Sequence, residues 1–133
     1  MQNDKRGRMS TPPPNIQERT FRFAVRVIRL VDRLPRTTAG IKVGQQFIES
    51  GTSIGANMQE ADAAESKKDF IHKTGIALKE SKESHFWLRL IDVTLVPDDA
   101  EVKSMLQESR ELSLIIGAIK RNARKPRPPT SED

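Results

Sequence analysis

Apolar residues recur at every third or fourth position through most of this 133-residue chain, a spacing that predicts amphipathic helices. Asn15 followed by Glu18 forms a variant of the capping box and marks the start of helix 1, which Pro35 ends. No segment shows the polar–apolar alternation that is typical of a strand. The predicted apolar face of helix 1 comprises Ala24, Val27, Ile28, Val31 and Leu34.

Three further helices are predicted from start signals of the same kind. Helix 3 is expected to be a single long helix that ends at Leu95, just before Pro97. The start signals are Thr37 or Thr38 for helix 2, Ser66 with Asp69 for helix 3, and Asp98 with Glu101 for helix 4.

Helix 2 has four glycines on or near its apolar face, at positions 40, 44, 51 and 55. Each costs a helix roughly 1 kcal/mol relative to alanine. The glycines therefore predict a close approach by a neighbouring helix, or a bend near residues 51–55. The alternative is that they divide helix 2 into two pieces.

Four capped helices with short connections favour an all-α fold, an antiparallel up-down-up-down four-helix bundle. The bundle is predicted over residues 15–125. A basic, proline-containing arm at residues 1–14 and a proline-rich tail at residues 126–133 are both expected to be disordered.

Six arginines of helix 1 fall within an arc of roughly 100° around the helix axis. Guanidinium groups stay charged at physiological pH and offer a planar fork to phosphate or carboxylate oxygens. Because only Glu18 and Asp32 offset this charge, we interpret the face as a phosphate-binding surface; the alternative is a solvated or self-association face. This Arg stripe comprises Arg19, Arg22, Arg26, Arg29, Arg33 and Arg36.

The net charge of +5 is unevenly distributed along the chain. Residues 1–36 carry +6, residues 37–119 carry −4, and residues 120–133 carry +3. In the predicted bundle helix 4 lies beside helix 1, so its basic end is expected to extend the Arg stripe as one electropositive surface. That end comprises Lys120, Arg121 and Arg124.

Enzymatic and metal-dependent functions are disfavoured by the residues present. The chain has no cysteine, and only Asp69 with His72 approaches the spacing of a di-iron bundle site, so no metal or cofactor is expected. Neither a phosphate-binding glycine loop nor a nucleophile turn occurs. No apolar run approaches the roughly 20 residues of a membrane span. We therefore expect a cytoplasmic, non-enzymatic protein with no membrane partner.

The middle of the chain, from Phe21 to about Leu95, resembles a known family. The residues that carry the similarity are SGTSIGAN at 50–57, EA at 60–61, SKKDFI at 66–71, IALKE at 76–80 and FWL at 86–88. On these segments the chain resembles the small proteins first described in intervening sequences of bacterial large-subunit ribosomal RNA genes. It looks like a branch with Gly55 and Ala61 where many members have proline and glycine.

The resemblance implies an antiparallel four-helix bundle that forms a ring-like homopentamer. A related branch, the accessory proteins of diversity-generating retroelements, has a basic surface that binds nucleic acid and a reverse transcriptase. RNA, DNA and a nucleic-acid-processing protein are therefore the partners that the resemblance implies. For most members of the family no biochemical activity is established.

A group of polar residues around the end of helix 2 forms a second candidate site. Ser53, Asn57 and Glu60 share one face of the helix. We expect Asn57 and Glu60 to hydrogen-bond to the turn between helices 2 and 3 or to Ser66. The group is interpreted as a structural motif that fixes this turn, and the alternative is a ligand site.

Two functions follow from the sequence. The first is an oligomeric nucleic-acid-binding accessory or adaptor protein whose Arg stripe contacts phosphates without reading bases. The second is a protein–protein scaffold with no nucleic-acid role, in which carboxylates of a neighbouring subunit cover the Arg stripe. The candidate carboxylates are Glu60, Asp62 and Glu65.

Overall fold

The computed structural model describes residues 15–126, which form four helices and no β-strand. The predicted all-α fold with four helices is confirmed over this part of the chain. The predicted basic arm at residues 1–14, and all but the first residue of the predicted tail, lie outside the described residues. The helices are α1 (Ile16–Val31), α2 (Thr38–Asp62), α3 (Lys67–Leu90) and α4 (Ala100–Arg124), with a π-helical turn (Ile91–Leu95) at the end of α3.

The first three helices begin where their side-chain caps predict. The side chains of Asn15, Thr37 and Ser66 each accept a hydrogen bond from the backbone N–H three residues later, at donor–acceptor distances of 2.8, 3.1 and 3.0 Å. Each cap satisfies one of the N–H groups that a helix N-terminus leaves without an intrahelical partner.

The prediction that Asp98 caps α4 is wrong. Asp98 adopts a left-handed backbone conformation with φ of 59° and completes the turn after Pro97. Asp99 is extended instead, and its carboxylate accepts from the N–H groups of Glu101 and Val102 at 3.0 and 3.1 Å. Asp99 is therefore the N-cap of α4.

Two helix ends differ from their predicted positions. Regular helix in α1 ends at Val31 rather than continuing to Leu34, although Leu34 is still buried in the core. Helix 3 was expected to continue as regular helix to Leu95, but its last five residues, Ile91–Leu95, form a π-helical turn. The backbone N–H of Val96 donates to the Ile91 carbonyl, a five-residue bond that closes this turn.

Helix α2 is continuous from Thr38 to Asp62, so the alternative of two pieces is wrong. Three of its four glycines, at positions 44, 51 and 55, lie against α1. A Cβ atom at position 51 would lie 2.7 Å from Cγ2 of Val27, and one at position 55 would lie 3.2 Å from Oγ1 of Thr20. These glycines therefore let the two backbones approach closely, which offsets their low helix propensity.

The buried face of α1 is rotated from the predicted one. Ile28 is 48% exposed, and Ala24 and Val31 are only half-buried. This rotation moves the core side of the helix toward the arginines, so one edge of the Arg stripe lies at the boundary with a neighbouring helix. The residues of α1 and its following turn that are buried are Thr20, Phe23, Val27, Leu30 and Leu34.

Contacts between neighbouring helices run in opposite chain order. From α1 to α2, Gly44 lies against Val31 and Gly55 lies against Thr20. From α2 to α3, Ser50 Oγ accepts from Ser84 at 3.1 Å, and Glu60 pairs with Lys73. From α3 to α4, His85 Nδ1 lies 2.7 Å from Ser109 Oγ, and Ser81 Oγ lies 2.7 Å from Ser113 Oγ.

The core is a single apolar cluster to which all four helices contribute. Small buried serines at the α2–α3 and α3–α4 contacts keep these helices close together and satisfy one another's hydroxyl groups. Over residues 15–126, none of the helices combines the length and the apolar character needed to cross a membrane. The largest fully buried side chains are those of Phe23, Leu30, Phe47, Ile54, Met58, Leu88, Ile91, Met105, Leu112 and Ile116.

Candidate nucleic-acid interface

The Arg stripe divides into two rows with a seven-residue spacing. The inner row, Arg19, Arg26 and Arg33, borders α4 and is ion-paired. The outer row, Arg22, Arg29 and Arg36, is exposed to solvent. Within α1, Arg19 and Arg26 of the inner row keep nearly one direction, and Arg22 and Arg29 of the outer row differ from them by roughly 60°. Arg33 and Arg36 were predicted to lie in helix 1, but they lie in the segment between α1 and α2, because regular helix ends at Val31.

Every arginine of the inner row forms a two-pronged hydrogen bond with a carboxylate of α4 or its N-cap. Arg19 Nε and Nη2 donate to the two Glu108 carboxylate oxygens at 2.7 and 2.8 Å, and Nη2 also donates to Glu111. Arg26 Nε and Nη2 donate to Glu101 at 2.8 and 3.0 Å. This fork-to-fork geometry is the strongest arrangement that arginine and carboxylate form.

Arg33 completes the inner row at the N-terminus of α4. Its Nη1 and Nη2 atoms donate to the two Asp99 oxygens at 3.0 and 3.2 Å. Asp99 thus caps α4 and, with the same carboxylate, binds an arginine of the turn that follows α1. The three pairs run in opposite order along α1 and α4, and they bridge two helices whose backbones make few close contacts.

The pairing shifts the pKa values of both partners toward their charged forms. The Arg26 side chain lowers the pKa of Glu101 through its hydrogen bond, and the Arg33 side chain lowers that of Asp99 in the same way. The pKa of Arg19 is raised, chiefly by its hydrogen bond with Glu108. For Glu111, the hydrogen bond from Gln107 lowers the pKa most and the bond from Arg19 comes second.

The inner row therefore does not present open guanidinium groups to an external anion. Each is already satisfied by a carboxylate of its own chain, and a phosphate would have to displace that carboxylate. The scaffold alternative expected carboxylates of a neighbouring subunit to cover the stripe, whereas these three arginines are covered by acids of α4 and its N-cap in the same chain.

The outer row keeps its guanidinium groups in solvent. Arg22 makes one contact with Glu18 on the same helix at 3.1 Å, and its side chain remains 64% exposed. Such an exposed pair contributes at most about 0.5 kcal/mol. Arg29 and Arg36 form no ion pair with any carboxylate of residues 15–126. These three arginines are the part of the stripe that is open to a phosphate.

The basic end of α4 faces α3 rather than the Arg stripe. The side chain of Lys120 passes over Gly75 of α3, and Arg124 lines a groove with α3 residues. Arg121 is exposed near Gly117. Lys120 and Arg124 thus lie on the α3 side of α4, whereas the carboxylates that hold Arg19 lie on its α1 side, so these two cations do not extend the Arg stripe as predicted.

The polar group at the end of α2 makes different hydrogen bonds from those expected. Asn57 Nδ2 donates to the Ser53 carbonyl at 2.8 Å, and the Ser53 hydroxyl donates to the Glu49 carbonyl, so both side chains bond within α2. Glu60 pairs with Lys73 of α3 at 2.6 Å, while Ser66 caps α3. Asn57 and Glu60 therefore do not contact the turn or Ser66, and Glu60 links α2 to α3 directly.

Neither histidine is placed with carboxylates to form a metal site. His72 is exposed, whereas His85 is half-buried with its Nδ1 atom against Ser109. Burial lowers the pKa of His85, and the nearby charges of Arg110 and Arg89 lower it further. Within residues 15–126, no three histidine or acidic side chains are grouped closely enough to hold a metal ion.

The basic residues of α3 were missed as candidate binding residues. Lys68, Lys79 and Lys82 lie on one outer face of α3, next to the basic side of α4. The signal was present in the helical spacing of these lysines, but the net charge of −4 over residues 37–119 concealed it.

Comparisons with known proteins agree on one family. The model of the 23S rRNA-intervening sequence protein family matches residues 15–118. A crystal structure of a protein of unknown function from the S23 ribosomal protein family of Bacteroides thetaiotaomicron is similar at 34% sequence identity and a TM-score of 0.74. The match covers 80% of this chain and 99% of that one. No curated protein sequence matches the chain.

Proposed function

Because the chain belongs to the 23S rRNA-intervening sequence protein family, we propose that it is a non-enzymatic, oligomeric nucleic-acid-binding accessory protein. Its phosphate contacts come from cations that the fold leaves exposed, including the outer row of the Arg stripe. The observation that carries the proposal is the contrast along α1: the inner row has its own carboxylates, whereas Arg29 and Arg36 have none among the described residues.

An exposed row of guanidinium groups on a rigid helix suits a phosphodiester backbone. Arginine binds phosphate oxygens with its planar fork, and the seven-residue spacing places Arg22 and Arg29 about 10 Å apart along α1. Phosphate contacts carry no base sequence information, so binding through this row is expected to depend weakly on sequence and strongly on salt.

The proposed working form is a cytoplasmic, ring-like homo-oligomer of antiparallel up-down-up-down bundles. The opposite order of helix contacts supports that topology. Phe21 and Ile28, seven residues apart on α1, are 62% and 48% exposed and offer apolar area for a subunit contact. Several copies would multiply weak phosphate contacts through avidity.

The proposal is tested by fluorescence anisotropy of labelled single-stranded RNA and duplex DNA at about 50 and about 200 mM salt. The protein is expected to bind at low salt, with an affinity that falls steeply at high salt. The combined Arg22→Gln, Arg29→Gln and Arg36→Gln variant should bind several-fold more weakly at unchanged oligomer mass. Absence of binding by the wild type at 50 mM salt would refute a nucleic-acid role.

A second candidate function is an oligomeric protein–protein scaffold with no nucleic-acid role. The exposed apolar side chains of Phe21, Ile28 and Ile41 favour it, because they mark α1 and the start of α2 as a contact surface. Analytical ultracentrifugation of a Phe21→Ser, Ile28→Ser variant tests it. A smaller assembly that still binds nucleic acid would separate the contact surface from the phosphate surface.

A further inference from the structure

The outer faces of α3 and α4 meet in an open groove of about 410 Å³. Its walls carry four cationic side chains and an exposed histidine, and no carboxylate lines it. The cationic residues form no ion pair with any carboxylate of residues 15–126. The lining residues are Lys68, Ile71, His72, Gly75, Ile76, Lys79, Lys120 and Arg124.

Gly75 gives the groove its shape. A Cβ atom at this position would lie 3.1 Å from Nζ and 3.4 Å from Cε of Lys120, so the lysine side chain passes directly over the glycine. The ammonium group of α4 is thereby drawn inward against α3, where it converges with the cations of α3 instead of extending into solvent.

The absence of acids from the groove follows from how α4 distributes its charge. The acids Glu101, Glu108 and Glu111 face α1, where they hold the inner row. Lys120 and Arg124 project on roughly the opposite side of the same helix. Helix α4 therefore presents its carboxylates to α1 and presents cations without paired carboxylates to α3.

On α3, the acid whose spacing would allow an ion pair with a groove lysine does not form one. Glu83 lies four residues after Lys79, a spacing that allows an ion pair. Its carboxylate instead accepts from Trp87 Nε1 at 3.1 Å, and no Lys79–Glu83 pair forms. Lys79 keeps its charge directed to the groove side of the helix.

A second, smaller groove continues the basic surface along the same pair of helices. It measures about 310 Å³ and is lined by Lys82, His85, Arg110, Ser113 and Leu114, again without an acid. The lowered pKa of His85, to which Arg110 contributes after burial, reflects the positive charge there. The cationic surface thus extends from the N-terminal end of α3 past its middle.

We propose that this α3–α4 groove, defined by Lys68, Lys79, Lys120 and Arg124, is the principal binding surface for the phosphodiester backbone of a nucleic acid. The inference rests on the proposed function and names the surface that performs it. Cations held in a concave site with no counter-charge create a stronger local potential than a convex row on one helix. The groove is therefore expected to contribute more affinity than the outer row of the Arg stripe.

The test compares two variants that each lose three positive charges. One carries Lys79→Gln, Lys120→Gln and Arg124→Gln; the other carries Arg22→Gln, Arg29→Gln and Arg36→Gln. Anisotropy is measured with a labelled oligouridine of about 16 nucleotides, the matching DNA strand and a DNA duplex. Circular dichroism and sedimentation show whether each variant keeps its fold and oligomer mass.

The groove variant is expected to bind at least tenfold more weakly than wild type at about 100 mM salt, and more weakly than the outer-row variant. Its salt slope for single strands should fall by about 2, the value for three lost phosphate contacts. Binding equal to that of wild type would overturn the assignment of the groove while the nucleic-acid role stands. Failure of the wild type itself to bind would overturn both.

A footprint on the unmodified protein keeps the inference testable if the groove variant does not fold. Lysine acetylation with and without bound RNA is read by mass spectrometry. Lys79 and Lys120 are expected to be protected by RNA, whereas Lys42 on α2 should react equally in both samples. Equal reactivity of Lys79 and Lys120 with and without RNA would contradict the groove as the binding surface.

Discussion

The α1–α4 face and the α3–α4 groove both contain several basic residues, but only the first supplies its own counter-ions. On the α1–α4 face, carboxylates of α4 and its cap hold Arg19, Arg26 and Arg33 in two-pronged pairs. In the groove, Lys120 and Arg124 face the lysines of α3 with no acid between them. The first face joins two helices, and the second leaves its charge available to a ligand.

This difference shows that a row of arginines is not in itself a binding surface. The four stripe arginines of α1 have the same side chain, yet a shift of roughly 60° around the helix separates the two that pair with α4 from the two that face solvent. What decides the role of a cation is the nearest carboxylate on the adjacent helix. Net charge must therefore be summed over each face of the folded protein rather than over each segment of the sequence.

Placing an acid in the groove should give one of its cations a counter-charge, as the acids of α4 do for the inner row. Gly75→Glu puts a carboxylate beside the Lys120 ammonium. The new side chain meets only the flexible end of the Lys120 side chain, which can move aside. The affinity for single-stranded RNA at about 100 mM salt should fall by roughly tenfold, as one groove cation is neutralised. Fluorescence anisotropy measures the change.

Gly75→Gln is the matched control for this substitution, since it adds nearly the same volume without charge. Both variants gain roughly 0.5–1 kcal/mol of helix propensity over glycine, so the fold should be retained. If the glutamine variant lost as much affinity as the glutamate variant, the effect would come from displacing Lys120 and not from neutralising it.

The inner and outer rows should differ in their contribution to stability. Arg26→Glu breaks the pair with Glu101 and places two acids together, so it should lower the free energy of unfolding by about 1 kcal/mol. Arg29→Glu on the outer row should change it by less than about 0.5 kcal/mol. Urea unfolding followed by circular dichroism measures both.

The double substitution Arg26→Glu, Glu101→Arg restores an opposite-charge pair across the same two helices. It should recover most of the stability that Arg26→Glu loses. Equal destabilisation by Arg26→Glu and Arg29→Glu, or no recovery in the double variant, would show that the inner row does not help to hold α1 against α4.

Local features of the fold were predictable because they depend on a few adjacent residues. The caps at Asn15, Thr37 and Ser66 each involve a residue only three positions away. The same local signal could not choose between Asp98 and Asp99, because both are acids after a proline. The left-handed backbone at Asp98 decides the cap and is not visible in the local sequence.

The candidate site was less predictable because it depends on which helix faces are adjacent. Phe23 and Leu30 flank the arginines, so two different apolar faces of α1 fit the periodicity, and only the packing of α2 selects one. The pairing of Arg19 with Glu108 joins positions far apart in sequence and depends on how α4 is aligned with α1. The groove likewise required knowing that Lys120 lies over Gly75.

Acid should weaken the α1–α4 face, because its ion pairs depend on ionised carboxylates. The folded-state pKa values of Glu101 and Asp99 lie below their ordinary values of 4.5 and 3.8 because Arg26 and Arg33 hydrogen-bond to the ionised carboxylates. A carboxylate with a lowered pKa stabilises the fold above its ordinary pKa and loses that contribution as the pH falls through the folded-state value. The stability supplied by the inner row should therefore decline below about pH 4.5.

The measurement is the thermal midpoint of wild type and of an Arg26→Gln, Arg33→Gln variant between about pH 7 and pH 2. Wild type should have the higher midpoint at neutral pH, where both carboxylates are ionised and paired. The two thermal midpoints should converge at low pH. Protonation of Glu101 and Asp99 removes from the wild type the ion pairs that the variant already lacks. The variant Lys120→Gln, Arg124→Gln changes only cations that form no ion pair with any carboxylate of residues 15–126, so its difference from wild type should vary much less with pH. A constant difference for the arginine variant as well would mean that the α1–α4 pairs do not contribute to stability, and the contrast between the two faces would then rest on geometry alone.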